Sequence, residues 1–201
     1  VLDVLVKMGV MADDSLVDFD QYVRTLAGEV PFIPVDAAEF GLSNCEGAVL
    51  TGERHIVTDL ARAYFAEQLG GHVLLNGELP ENLDWPDWII DCTFAANSAA
   101  GVARYEPCIV LLLEGRSDKA VTIMDGPFGS LYPFDEDRNL CSLSSAKYSP
   151  FTKECKSYDY AKRVLDGLDA YTIESQATAM IDAMAEFYPA VRDFKWVDSL
   201  L

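Results

Sequence analysis

The stretch Cys108-Ile-Val-Leu-Leu-Leu-Glu-Gly115, Arg116-Ser-Asp-Lys119, Ala120-Val-Thr-Ile-Met-Asp-Gly-Pro-Phe-Gly-Ser-Leu-Tyr-Pro-Phe134 decides the class of fold. A polar turn, Asp135-Glu-Asp-Arg-Asn139, then leads into Leu140-Cys-Ser-Leu-Ser-Ser-Ala-Lys-Tyr148. Short runs rich in Val, Ile and Leu, separated by turn residues, read as neighbouring antiparallel strands. Residues 109–113 are apolar at every position, which marks a central strand buried on both faces.

Upstream, Gly47-Ala-Val-Leu50 reads as a short strand. Thr58 to Leu69 follows as an amphipathic helix with Leu60, Ala61, Tyr64, Phe65 and Leu69 inward, closed by Gly70-Gly71. His72 to Asn76 and Trp88 to Asp91 read as further strands around a polar, Pro-containing loop. Nearer the start, residues 1–10 are an apolar run whose periodicity does not choose between strand and helix. Asp13-Asp14-Ser15 looks like a helix start, with Leu16, Phe19, Val23 and Leu26 as its stripe and Gly28 as its stop. At the other end, helices are expected over Tyr158–Leu165 and Ile173–Phe187. Thr172 is the expected N-cap of the second, and Pro189 its stop.

Strand, helix, strand, loop, strand is α/β or α+β grammar, and the hairpins of 108–148 tilt it to one side. The expectation is an α+β fold: a largely antiparallel mixed β-sheet with flanking helices. Residues 1–46 are expected as an N-terminal helical segment, either part of the same domain or separate from it, and 47–201 as the mixed-sheet domain.

With 15 basic and 33 acidic residues the chain carries a formal charge of −18, which repels nucleic acid and anionic membrane. The expected partner is a small-molecule substrate. Cys45, Cys92, Cys108, Cys141 and Cys155 are odd in number and form no CxxC pair. That favours reduced thiols in a cytoplasmic protein over a disulfide framework. No secretory signal or membrane-length apolar run is present. The chain begins at Val1 and ends at Leu201 in apolar sequence, which reads as a fragment of something longer.

There is no GxGxxG, P-loop, GxSxG, HExxH or EF-hand loop. His55 and His72 lie in different local contexts, so no metal site is expected. Asp91-Cys92-Thr93 ends an apolar strand, where ligands gather in α/β sheets, although an ordinary strand end looks the same. In Asp125-Gly-Pro-Phe-Gly-Ser-Leu-Tyr-Pro133, two glycines and two prolines inside a strand region imply a bulge or a close backbone approach. Tyr132 offers a phenol suited to stacking on or polarising a ligand; the ordinary alternative is a core tyrosine in a tight hairpin. Lys147 leaves the last strand near the only basic neighbourhood, where a solvated lysine is the ordinary alternative to one that meets an acidic substrate.

These residues resemble a known family. The strand and helix ending in Gly-Gly, the next strand, and then Trp88-Ile-Ile-Asp-Cys-Thr93 look like the middle of D-amino-acid-oxidase-like FAD-dependent oxidoreductases. Tyr105–Glu114, Asp125–Pro133 and Leu143–Lys147 resemble strands of that family's substrate domain, and the helix into Phe187-Tyr-Pro189 resembles the one before the chain returns to the FAD domain. The likeness runs over roughly Gly47 to Val197. Three departures stand out. The glycine-rich fingerprint and the closing flavin segment are missing, the turn after Thr93 lacks a glycine, and Asn76 to Trp88 is short for the family's adenine-side strands.

The resemblance implies FAD as cofactor and flavin-mediated hydride removal from a small amine or hydroxy substrate. It places Asp91, Cys92, Thr93 and Phe94 by the cofactor, and Tyr132, Lys147 and Arg104 on the substrate side. It names no catalytic base and implies that the piece alone is inactive. The competing functions are a non-catalytic ligand-binding or interaction module on the same mixed sheet, and a small-molecule transferase with its site at the strand ends.

Overall fold

The computed structural model describes residues 7–12, 15–52, 56–73, 104–135, 137–152 and 155–201, residues 7–12 by their backbone. Eight strands form one sheet: β1 (Lys7–Ala12), β2 (Phe32–Val35), β3 (Cys45–Thr51), β4 (Val110–Glu114), β5 (Ala120–Met124), β6 (Gly129–Asp135), β7 (Leu140–Ser145) and β8 (Lys195–Leu200). Among the described residues four α-helices accompany it: α1 (Phe19–Leu26), α2 (Thr58–Leu69), α3 (Tyr158–Asp166) and α4 (Ala170–Ala185). The strand order is β2-β3-β1-β5-β6-β7-β4-β8. Only the β1–β5 pairing is parallel; the other six are antiparallel. The expected α+β class with a largely antiparallel mixed sheet is therefore the observed one.

One row of side chains explains the packing. Val121, Leu131, Leu143 and Leu111 are successive cross-strand partners on β5, β6, β7 and β4. Because side chains alternate along a strand, all four share one face. Leu111, Leu131 and Leu143 are fully buried. On that face they join Met180, Met184 and Ala177 of α4 in a single core, with Ile109, Leu113 and Val191 beside them. Burying a leucine side chain is worth roughly 1.5–3 kcal/mol, so this row and α4 carry much of the domain's stability.

Residues 109–113 are buried almost throughout, but β4 is not central: it lies between β7 and β8, one strand from the edge. Nor are β4 and β5 neighbours, as consecutive hairpins would make them. The β6–β7 hairpin stands between them in a Greek-key order. The link from β4 to β5 is tied across that hairpin's end. Gly115 N–H donates to Asn139 O at 2.8 Å, and the Cys141 thiol donates to Gly115 O at 3.3 Å. A methyl on Gly115 would lie 2.3 Å from the Phe194 ring, so the link passes close under the approach to β8.

The Asp125–Pro133 stretch has both features its composition implies. Asp125 is left-handed, at φ 67°, and the β6–β7 register shifts between Pro133 and Asp135. Gly129 lies against α4, where a Cβ would meet Met184 Sδ at 3.4 Å and Ser144 O at 3.2 Å.

Several local expectations change. The first helix starts at Phe19, because Asp18 accepts from Gln21 N–H at 2.7 Å as its cap. Ser15 instead donates to Met124 O at 2.9 Å, tying the segment before α1 to the end of β5. Leu16 is off the helix and exposed. Residues 7–12 settle as strand, and β1 and β2 join the same sheet as the rest. The bounds of α2 are as expected, but Leu60, Tyr64, Phe65 and Leu69 are exposed rather than inward. Among the described residues, no sheet strand makes extensive contact with that helix. His72 closes a short 3-10 turn instead of opening a strand. The expected strands over 74–76 and 88–91 lie outside the described residues. Helix α4 begins earlier than expected: its cap is Asp169, whose carboxylate accepts from Thr172 N–H at 2.7 Å.

Two outcomes test this packing. Leu131→Ala should destabilise the domain by about 3 kcal/mol, since it leaves a fully buried cavity at the sheet–helix contact, as read by chemical denaturation. The second concerns pH. The Thr172 hydrogen bonds hold the Asp169 carboxyl below its ordinary range. Its contribution is therefore present above the unfolded-state pKa of about 3.9 and lost as pH falls through the lower folded value. The Tm gap between wild type and Asp169→Asn should close on acidification; a gap that stays constant down to acid pH would contradict the cap.

Candidate functional site

The sheet face opposite α4 is built differently. Thr122 pairs across β5–β6 with Ser130, and Ser130 pairs across β6–β7 with Ser144. Beside this row, Tyr132 pairs with Ser142, and Ser142 with Leu112. All of these point away from the α4 core, because each is one residue out of phase with the Val121–Leu131–Leu143–Leu111 row. The five hydroxyl-bearing residues are part-exposed, while Leu112 is buried. The serines are small and leave a shallow floor. Tyr132 is the one large polar side chain of these rows.

Thr122 Oγ1 and the Tyr132 hydroxyl are 2.8 Å apart, and either can donate. They are diagonal neighbours on adjacent strands, a separation that a tyrosine can span. The contact fixes the far end of the phenol ring. Tyr132 O also lies 3.5 Å from Ser142 Oγ, a long contact at most. The five hydroxyl-bearing residues are uncharged, and the Tyr132–Ser142–Leu112 row continues to the exposed Asp198 of β8. The face offers hydroxyl donors and acceptors with one carboxylate at its β8 end.

Lys147 lies elsewhere. It leaves the end of β7 and lines a cavity of about 330 Å³ with Asn44, Phe128, Tyr148, Glu186 and Phe187. The elements around it are locked together by polar contacts. Ser43 Oγ and Asn44 Nδ2 both donate to Glu186 O, at 2.9 and 2.8 Å, and Gln176 Nε2 donates to Tyr148 O. Phe128 and Phe187 meet edge to face, with centroids 5.3 Å apart. Lys147 Nζ sits 4.8 Å from the Tyr148 ring centroid. The Tyr148 side chain raises the Lys147 pKa first by hydrogen bonding, with Glu186 adding to it, so the amine stays charged.

Arg104 is on a third part of the surface. It precedes Tyr105, which bridges to Cys155 and lines a cavity of about 460 Å³ with Cys108, Tyr158 and Lys162. A further cavity of about 280 Å³ lies at the turn end of β6 and β7, between Arg116, Asp118, Asp135, Asn139 and Cys141. These three cavities contain Lys147, but neither Tyr132 nor Arg104. Tyr132, Lys147 and Arg104 thus belong to three separate surroundings. Asp91, Cys92, Thr93 and Phe94 lie outside the described residues.

The thiols offer no activated nucleophile. Burial pushes Cys141 and Cys108 above the ordinary range, and Glu106 adds to the effect at Cys108. Cys108, Cys141 and Cys155 are free thiols. Among the described residues, no three His, Cys, Asp or Glu side chains converge on a metal position, and no helix is long and apolar enough to cross a membrane.

Sequence reasoning found Tyr132 and passed over Thr122, Ser130, Ser142 and Ser144. The signal was present: Cys-Ser-Leu-Ser and Gly-Ser-Leu-Tyr each alternate hydroxyl with apolar residues at the strand period of two. Which strands lie side by side was the missing information.

No family model matches the chain. The chain is similar to the FAD-dependent monooxygenase FPY4 of Fusarium mangiferae, 26% identical over 202 residues, covering 94% of this chain and 54% of that protein. It therefore spans about half the length of the curated relative it matches. The likeness is to a flavin-dependent oxidoreductase, and it does not single out the D-amino-acid-oxidase-like family.

The Lys147 surroundings can be checked directly. Tyr148→Phe should lower the Lys147 pKa, and Glu186→Gln should lower it less, in an NMR titration of the lysine side chain. An unchanged titration in both variants would mean that neither group faces the amine.

Proposed function

We propose that this chain is part of an FAD-dependent oxidoreductase and supplies the sheet against which flavin and substrate meet. The observation that carries the reading is the likeness to an FAD-dependent monooxygenase along 94% of the chain. The hydroxyl face supports it chemically. An isoalloxazine ring is flat and presents carbonyl and nitrogen acceptors along its edge, to which hydroxyl groups can donate.

The nucleotide end of FAD is a different matter. A pyrophosphate needs free N–H groups and positive potential at a helix start. Each described α-helix instead has an acid at or just inside its start: Asp18 and Asp20 in α1, Asp59 in α2, Asp159 in α3 and Asp169 in α4. The described helix starts thus do not suit the phosphates.

On this proposal the flavin, when bound, accepts the hydride, and the protein positions the reactants. The substrate is a small amine or hydroxy compound. Asp91, Cys92, Thr93 and Phe94 lie by the cofactor, while Tyr132, Lys147 and Arg104 serve the substrate side. The D-amino-acid-oxidase-like assignment and a cytoplasmic location are parts of the same proposal, resting on the motifs quoted above and on the reduced thiols.

The intact protein, purified without added ligand, should carry or take up FAD. FAD at about 100 times its Kd should stabilise it by about 2.7 kcal/mol in thermal unfolding. Absence of both protein-bound flavin absorbance and any thermal shift would leave the non-catalytic module as the better account.

A further inference from the structure

We propose that the cavity between the end of β7 and the C-terminal end of α4 binds a small aromatic carboxylate, with Lys147 taking the carboxylate and Phe128, Phe187 and Tyr148 flanking the ring. The site stands on its own geometry; that its ligand is the substrate rests on the flavoenzyme reading above.

The cavity measures about 330 Å³, room for one ring with a short acidic arm. Its apolar wall is aromatic and fixed. Phe187 is buried, and Phe128 meets it edge to face, with the rings 76° apart. Such a pair offers a third ring both a face and an edge. Phe128 O accepts from Ala146 N–H at 2.8 Å, which ties this wall to the segment that carries Lys147.

The polar side supplies donors. Lys147 Nζ stands 4.8 Å from the Tyr148 ring centroid, and among the described residues it makes no ion pair. An ammonium has three hydrogens to give, so some remain for a ligand. Asn44 adds a second donor. Its backbone is left-handed, at φ 52°, and its Nδ2 donates one hydrogen to Glu186 O at 2.8 Å, leaving the other for the cavity. Glu186 is the other charged side chain of the lining and opposes an anion, but it is exposed and therefore well solvated. The protein's remote acids act weakly on the site, since salt screens charges within about 10 Å at 0.1 M.

The experiment titrates the intact protein, with and without FAD, with phenylacetate, its neutral amide phenylacetamide, and acetate. Calorimetry gives the Kd, the Lys147 side-chain NMR signal reports where the probe sits, and circular dichroism is the folding control. Phenylacetate should bind and move the Lys147 signal, with the amide and acetate each about tenfold weaker. Lys147→Gln should weaken phenylacetate about tenfold and leave the amide unchanged. Glu186→Gln should tighten phenylacetate a few-fold, again without effect on the amide.

Equal Kd values for acid and amide, or no binding of phenylacetate at all, would overturn the proposal. So would folded Lys147→Gln protein that binds the acid like wild type, or binding that leaves the Lys147 signal in place. A Glu186→Gln protein that binds the acid more weakly would overturn the charge assignment of the cavity. Wild type that binds phenylacetate but takes up no FAD would keep the site and overturn the flavoenzyme reading instead.

Discussion

The structure depends on the contact between one row of apolar side chains and one helix. Val121, Leu131, Leu143 and Leu111 cross four adjacent strands in register, and Met180 and Met184 of α4 close over them. Because a strand's side chains alternate, fixing this row toward the helix fixes every intervening residue toward the opposite side. A slip of one residue would bury the serines of β7 and expose its leucine. The core thus selects a register, and that register collects the hydroxyls.

The consequence is a division of labour between two faces. One is dry and closed by α4. The other carries Thr122, Ser130, Tyr132, Ser142 and Ser144 without a charge among them, in a protein whose formal charge is −18. Many of its acids stand at helix starts and turns, where they cap N–H groups or stay solvated, but Asp198 of β8 continues the Tyr132–Ser142–Leu112 row on this same face. The same acids make the described helix starts poor phosphate sites.

Separate surroundings for Tyr132, Lys147 and Arg104 also have a physical basis. Tyr132 stands within a strand and is oriented by the pleat. Lys147 lies just past the end of β7, beside the C-terminal end of α4, where its charge is held by Tyr148 and Glu186. Arg104 precedes an isolated bridge to Cys155, away from the main ladder. Nearness to one another in a list of polar residues did not translate into one site, because strand, turn and bridge project their side chains in different directions.

Much of the fold was legible locally. The apolar runs of β4 to β7, the bounds of α2, the Gly70 stop and the bulge near Pro133 follow from period, turn chemistry and glycine or proline placement, all properties of a few consecutive residues. Caps were legible only in part. Asp169, not Thr172, caps α4, and Thr172 lies inside the first turn and donates its N–H to the Asp169 carboxylate. What no local pattern contained was the order of the strands. That β7 lies beside β4, that β1 runs parallel to β5, and that Thr122 reaches Tyr132 are results of pairings between distant segments. The sequence alone determined the strands β4 to β7 and the alternation of their side chains, but not β1, β2 or β8. Only the tertiary structure decided which faces are joined, because strand pairing is settled by how the whole core closes and not by any one strand's own composition.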